Sequence, residues 1–265
     1  MTRDFGDDVF AGAAKYYVKY RPLYPAELFR DISKIFGLDG RGRLLDLGCG
    51  TGELAIPLAK YFQKVLALDP DLDMLAEGRK KSSAQGIDNI SWQKGSSKEL
   101  NSLRGSFRLI TMGQSFHWMD QKGVLEELYA LTSVNGGVAI VGTEPIDQNL
   151  QADKKDKAVK ELITKYLGPK RRAGSKVYTP PPNRYEQSLG NSKFHDFAER
   201  YYVVELDRDI EQIVGHLFSM SWALKQHFAG RESAFEAELR QRLKTISPSG
   251  KFQEKIRFSL YTLSK

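Results

Sequence analysis

Ten consecutive residues, LLDLGCGTGE from Leu44 to Glu53, combine the backbone freedom and the charges of a ligand-binding turn. Gly48, Gly50 and Gly52 allow a tight turn and a close approach of backbone to ligand. Asp46 stands two residues before the first of these glycines and Glu53 directly after the last. A strand, glycine loop and helix also serve dinucleotides, so the glycines alone leave a pyrophosphate site open. The acids count against it. Glu53 falls where the dinucleotide pattern needs a small residue for helix–strand packing, and it puts a carboxylate where pyrophosphate would sit. Asp46 repels phosphate and suits an ammonium group. A third acid, Asp69, lies 21 residues beyond Gly48 at the end of the next apolar run. A carboxylate there can accept hydrogen bonds from both hydroxyls of a ribose. Loop and acids together suit a ligand with a ribose, a cationic amino-acid tail and no phosphate.

These residues need strands to end on. Short apolar runs at Arg43–Leu47, Val65–Asp69, Ile90–Lys94, Phe107–Met112 and Val138–Thr143 read as strands. They alternate with helical patterns at 53–61, 72–84 and 124–131. That alternation predicts βαβ units and a Rossmann-like, mostly parallel sheet with helices on both faces. Ligands bind such sheets beyond the carboxyl ends of the strands, where Gly48 and Asp69 fall. Two helices are expected ahead of the first strand, around 13–20 and 26–36, the second started by Pro25 and ended by Gly37. After Glu144 the rhythm changes. A helix at 154–167 and a Pro-rich turn, Thr179 to Pro182, read as an inserted cap. A strand at 201–206, helices at 210–228 and 232–243, and a last strand at 256–263 follow.

Length and composition bound the class. With 265 residues, 41% hydrophobic and 28% charged, and with 14 Phe, 12 Tyr and 3 Trp, the chain can bury a full core. No apolar run approaches the roughly 18 residues of a membrane span. The first ten residues carry Asp4, Asp7 and Asp8 and have no apolar stretch of the secretory kind. Cys49, the single cysteine, excludes an internal disulfide and an all-cysteine metal site, and suggests the cytoplasm. The net charge of +7 is local. Residues 1–150 hold 18 basic and 19 acidic residues, whereas residues 153–176 hold 9 basic and 3 acidic. Such a stretch is a solvated face, a seat for an anionic substrate, or a contact for a nucleic-acid backbone.

The chain resembles the class I S-adenosylmethionine-dependent methyltransferases, and in particular the broad small-molecule group that includes trans-aconitate and juvenile-hormone-acid methylating enzymes. The resemblance rests on Tyr16 with RPLYP (Arg21 to Pro25), DLGCGTG (Asp46 to Gly52), LALDPDLDML (Leu66 to Leu75), GSSKEL (Gly95 to Leu100) and GQSFHWMD (Gly113 to Asp120). It implies one α/β domain over residues 1–265. Residues 1–36 would form a helical lid, 37–144 a cofactor-binding core and 145–195 a basic cap insertion. Residues 196–265 would complete a seven-stranded sheet whose last strand is antiparallel. It implies S-adenosyl-L-methionine as cofactor, with S-adenosyl-L-homocysteine as product and no metal. Gly48, Cys49 and Gly50 would pass beside its methionine part and Asp69 would hold the ribose. Pro70 and Met74 would border the adenine, and Tyr16, Arg21, Asp46 and Gln114 would complete the site. The family usually has an acid after Gly95; Ser96 and Ser97 stand there instead, and their hydroxyls accept without charge assistance.

The acceptor side follows from the same resemblance. Tyr17, Ser115, His117, Trp118 and Trp222 would line the acceptor pocket, and His117 is the best-placed base if the acceptor is a hydroxyl or an amine. Against this stands a His–Trp pair that only packs. His195, His216 and His227 are scattered without metal-ligand spacing. Cys49, with no base assigned, is read as a small loop residue. The leading expectation is methyl transfer to a small-molecule oxygen, nitrogen or carbon. The alternatives are an RNA or protein substrate using residues 153–176, an NAD(P)-dependent oxidoreductase, and a cofactor-binding protein without catalysis.

Overall fold

The structure, a computed structural model, describes residues 8–146, 150–174, 176–178 and 185–265. The Pro-rich turn at 179–182 lies outside the described residues. Two short helices, α1 (Ala14–Tyr20) and α2 (Ala26–Ile35), precede β1 (Arg43–Leu47). Next come α3 (Ala55–Leu58), β2 (Lys64–Asp69), α4 (Leu72–Ala84), β3 (Ile90–Lys94), β4 (Phe107–Gly113), α5 (Gln121–Leu131) and β5 (Thr132–Pro145). The remainder comprises α6 (Leu150–Leu167), a two-stranded ribbon of β6 (Arg172–Ala173) and β7 (Lys176–Val177), α7 (Glu186–Gly190), β8 (His195–Asp209), α8 (Ile210–Phe218), α9 (Glu232–Ile246) and β9 (Lys251–Ser264).

Seven strands form one sheet in the order β3-β2-β1-β4-β5-β9-β8. The pairs among β1 to β5 are parallel, and β9 is antiparallel to both β5 and β8. The inner strands are covered on both faces, so β1 reads as an unbroken apolar run around Asp46, and Val138 to Val141 of β5 are fully buried. Alternate residues feed two cores. Leu44, Val65 and Leu109 pack with Leu28 and Ile32 of α2 and with α3; Leu45, Leu47 and Ile110 pack with Val124, Leu125 and Leu128 of α5. A third core joins Leu162 of α6 to Ile213 and Phe218 of α8 and to Phe235 and Leu239 of α9. The helices expected to cover the site, within residues 1–36 and 145–195, are thus joined by α8 and α9 from 210–246.

The elements depart from the sequence reading in several places, among them β5, which runs from Thr132 to Pro145, and α7, which was not foreseen. The helix expected from Glu53 starts at Ala55, because the Asp46 carboxylate reaches across from β1 and accepts the Ala55 N–H at 3.0 Å. The helix expected over 210–228 stops at Phe218. There the Ser219 hydroxyl donates to the His216 carbonyl at 2.6 Å, and the chain turns before a 3₁₀ turn at Lys225–Phe228. β8 and β9 run 15 and 14 residues, well beyond the expected 201–206 and 256–263. Their ends alternate charged and apolar residues, which hides a strand from a search for apolar runs. The ribbon β6–β7 inside the basic segment was not foreseen.

Candidate active site

The glycine loop leaves β1 and packs closely against the segment that leaves β4. Gly48 has φ +69, and a Cβ placed on it would stand 2.4 Å from the Ser115 Cβ. Only glycine can occupy that position, since the conformation is strained for any other residue and the space is taken. The Ser115 hydroxyl donates to the Leu47 carbonyl at 2.7 Å, tying the end of β1 to the segment that leaves β4. The Gly48 and Cys49 N–H groups both donate to the Leu68 carbonyl, at 2.8 and 2.9 Å, so the loop is laced to β2.

Asp69 ends β2, and its carboxylate is 8% exposed. Oδ2 accepts from the Gly50 N–H at 2.8 Å and Oδ1 from the Asp71 N–H at 2.9 Å. Each oxygen keeps a second lone pair, so two further donors can be received. Burial pushes this carboxyl up to about 6 against the opposing pull of its two backbone hydrogen bonds. Asp71 caps α4 by accepting from Asp73 and Met74 at 2.8 and 3.2 Å, which fixes the turn that follows Asp69.

A cleft of about 950 Å³ opens beyond the carboxyl ends of β1, β2 and β4. Of the residues expected to touch a cofactor, Gly48, Gly50, Asp69, Pro70, Met74, Ser96, Ser97 and Gln114 line it. So do Tyr17, Ser115 and Trp118, which were expected on the acceptor side. A narrower recess of about 200 Å³ shares Tyr17, Gly48 and Gly113 with the cleft and adds Asp46, Cys49 and Glu53. Asp46 is buried there, with its oxygens on the Ala55 N–H and the Thr111 hydroxyl (2.8 Å), and burial lifts its carboxyl to about 7. Glu53 receives the Thr51 hydroxyl and the Lys81 ammonium, the latter at 3.1 Å. The recess thus presents two carboxyls beneath the glycine loop, while the cleft above it is largely apolar. A ribose, an adenine ring and an ammonium-bearing tail match these three zones. Pyrophosphate does not, because the acids repel it.

Several expected positions are corrected. Tyr16 does not face the cleft; it stacks between Tyr20 and Phe218 at 6.2 and 5.7 Å, and its neighbour Tyr17 faces the cleft instead. One residue along a helix turns the side chain by about 100°. Arg21 lies over the Tyr17 ring at 4.7 Å but lines a second cavity. Cys49 is buried, and its thiol is raised far above the usual range, so it is inert. His117 lines neither the cleft nor the second cavity. Its ring packs 4.5 Å from Trp118, and Nδ1 is 3.4 Å from the Tyr185 hydroxyl. Burial first, then Arg171 and Arg21, hold it down at about 4, too low for an effective base near neutral pH. Ser96 is drawn into a capping box. Its backbone and hydroxyl donate to Glu99 at 2.6 and 2.8 Å, and the hydroxyl accepts from the Lys98 N–H at 3.2 Å. The spacing Ser96-x-x-Glu99 is the signal that would have found it. Val9, Phe10, Lys98 and Met119 also line the cleft; Lys98 and Met119 fall inside the GSSKEL and GQSFHWMD stretches without having been singled out, and no motif marked Val9 and Phe10.

The second cavity, about 1,390 Å³, lies beside the first, and Gln114 lines both. Trp222, carried by the turn after α8, is one of its walls, as are His216 and Met220. His195 lies exposed at the start of β8. Among the described residues no group of His, Cys, Asp and Glu is placed to hold a metal, and no helix is long and apolar enough to cross a membrane.

Residues 44–136 match the family model of the methyltransferase domain. Trans-aconitate 2-methyltransferase of Deinococcus radiodurans is 32% identical over 114 residues, which cover 42% of this chain and 42% of that one. The ubiquinone/menaquinone biosynthesis C-methyltransferase of Desulfotalea psychrophila is 29% identical over 117 residues, 43% and 46% of the two chains. The chain spans about half the length, or less, of the relatives it matches. A solved structure from Anaeromyxobacter dehalogenans superposes with a TM-score of 0.57 at 21% identity, covering 92% of this chain and 97% of the other. The similarity thus places a methyltransferase domain at residues 44–136, and the fold of the chain as a whole is the one this solved structure shares.

Proposed function

We propose that the protein transfers a methyl group from S-adenosylmethionine to a small organic acceptor. One observation carries the reading: the buried Asp69 carboxylate at the mouth of an apolar cleft, with the two-carboxyl recess of Asp46 and Glu53 directly below the glycine loop. When bound, the cofactor supplies a methyl group that is displaced in line onto an acceptor lone pair, the carbon–sulfur bond electrons remaining on sulfur.

The chain's own residues do the rest. Asp69 accepts the ribose hydroxyls. Asp46 and Glu53 face the ammonium end, Pro70 and Met74 border the base, and Gly48 and Gly50 admit the chain between them. Phe10 packs edge-on against Tyr17 and Trp118, at 6.0 and 6.1 Å. The segment at residues 8–20 then serves as a lid that excludes water, and alignment provides most of the rate. Gln114, common to both cavities, marks where acceptor and methyl group meet. His117 is assigned to packing, so a proton released by a hydroxyl or amine acceptor leaves by another group or by water.

The RNA reading is set aside because the basic run is partly spent inside the protein. Lys155 and Lys165 pair with Glu254 and Glu238, and Arg171 turns into the second cavity. The cytosol is the compartment this reading implies. Isothermal titration with S-adenosylmethionine and S-adenosylhomocysteine tests the proposal. Micromolar binding that collapses in Asp69→Ala is expected, and no binding of either ligand at millimolar concentration refutes it.

A further inference from the structure

The second cavity has walls of two kinds. One is apolar: Val159, Ile213, Leu217 and Met220, with the Trp222 ring. The other is cationic, and its charges do not balance. Glu254 is the carboxylate at its base, and two cations share it: Lys155, and Arg208 through Nε at 3.0 Å. Glu144 is held by Arg257, with its Nε at 2.6 Å, and Lys255 is held by Glu205 at 2.7 Å. Asp156 is exposed and reaches only Lys155, at 3.5 Å.

Two guanidiniums remain. Arg21 donates through Nη2 to the Ser219 carbonyl at 3.0 Å, and among the described residues its buried Nε meets no acceptor. Arg171 lies over the Tyr178 ring at 4.9 Å and the Trp222 ring at 5.5 Å, and among the described residues no carboxylate pairs with it. Arg208, 4% exposed, has a buried Nη1 that also lacks an acceptor among the described residues. A buried donor without a partner is costly, and an anion in the cavity would supply one to Arg21 and a counter-charge to the exposed Arg171 guanidinium. The electrostatics agree. Burial lowers Arg171 and Arg208, and burial followed by Arg208, Arg21 and Lys155 holds His216 well below its ordinary value.

Resting on the methyltransferase reading, we propose that this cavity is the acceptor pocket and that it takes an organic anion. The ligand has an apolar or aromatic body against Trp222 and Met220, and a carboxylate or phosphate group bound by Arg171, with Arg21 on the far side. Arg171 is the specificity-determining residue. Its guanidinium already lies over the Tyr178 and Trp222 rings, which limit its orientations before the ligand arrives.

The test uses the whole chain. Cofactor binding is measured first, by titration with S-adenosylhomocysteine. Hexanoate, phenylacetate, their primary amides and phenyl phosphate are then titrated with and without S-adenosylhomocysteine, and methyl transfer to each from labelled S-adenosylmethionine is followed. At least one acid or the phosphate should bind about tenfold or more tightly than the matching amide. Arg171→Met should erase that preference while leaving amide and S-adenosylhomocysteine affinity unchanged, and Arg171→Lys should restore part of it. Preference for the carboxylates names a carboxylate handle, and preference for phenyl phosphate a phosphate one. If S-adenosylhomocysteine binds but no anion is preferred over its amide, or the preference survives in Arg171→Met, the anion proposal is overturned and the methyltransferase reading stands. Failure of S-adenosylhomocysteine to bind overturns the methyltransferase reading instead, whatever the anions do.

Discussion

The two halves of the sheet solve the problem of holding a ligand in different ways. On the parallel side, the stretches 47–50, 69–74 and 96–98 that leave β1, β2 and β3 supply glycine backbone and the Asp69 carboxylate, and residues 9–17 and 113–119 complete the cleft. On the antiparallel side, β9 and β8 with their covering helices, the cavity draws on Arg21, Lys155, Arg171, Trp222 and Glu254, far apart in the chain and mostly cationic or aromatic. The first site is built by local geometry, since a strand must end, the chain must turn, and a buried carboxylate must be satisfied by nearby N–H groups. The second exists only once remote elements have packed. Chemistry common to a whole family can therefore sit in a motif, whereas selectivity belongs to tertiary contacts.

Substitutions on the two sides should separate these roles. Gly48→Val drives a side chain into Ser115 at a left-handed position and should cut turnover by about 100-fold or more, through lost cofactor binding. Calorimetry with S-adenosylhomocysteine, alongside a thermal melt, reads both consequences. On the other side, Glu254→Gln strips the carboxylate from Lys155 and Arg208 and should cost about 3–5 kcal/mol of stability. Urea denaturation checks this; if the variant is as stable as the parent, the ionic cluster is not what joins α6 to β9. Asp69→Ala should weaken cofactor binding by about 1–3 kcal/mol while changing the melting temperature little.

Acidity offers a milder probe of the parallel side. Burial holds Asp69 near 6 and Asp46 near 7, and the ligand prefers both as anions. Cofactor affinity should therefore fall as pH drops through 7 and then 6, by up to about tenfold per unit for each proton taken up. The effect on stability has the opposite sign. The folded state binds these protons more tightly than the unfolded chain, so both carboxyls favour folding in acid, and that contribution is lost as pH rises from about 4 through 6 to 7. Titrations in Asp69→Asn should lack the lower step. The smallest effect is expected from His117→Ala. A general base would be worth about 100-fold or more, whereas a packing residue should change turnover by about threefold or less. A large loss of turnover with unchanged cofactor affinity would return His117 to the chemistry.

The same contrast explains what could be read from residues alone. β1 to β4, the centre of β5, the glycine loop and the place of Asp69 at the end of β2 were legible, because apolar runs and turn residues encode them locally, whereas the seven-stranded sheet was expected only from the resemblance. Tyr16 and Tyr17 were exchanged because two adjacent aromatic residues carry no record of which one the helix turns inward. His117 and Trp118 looked equivalent in the sequence, but a single 3₁₀ turn, Phe116–Trp118, sends one ring to the cleft and the other under Tyr185. The true lengths of β8 and β9 were hidden by charges that their partner strand tolerates at an edge. Arg171 was counted only as part of a basic run. Nothing in Lys170-Arg171-Arg172 distinguishes the one that points inward.

Gln114 has a consequence of its own. It holds a left-handed backbone at φ +55, donates its N–H to the Val141 carbonyl at 2.9 Å, and is a wall of both chambers. Under the proposed reading, a mutation there would alter the neighbourhoods of donor and recipient together, so that improvement for one is penalised through the other. Descendants of this scaffold that acquire new recipients should therefore keep Gln114 and diversify the ribbon at 172–177 and the turn at 219–222, where one chamber can be remodelled without disturbing its neighbour.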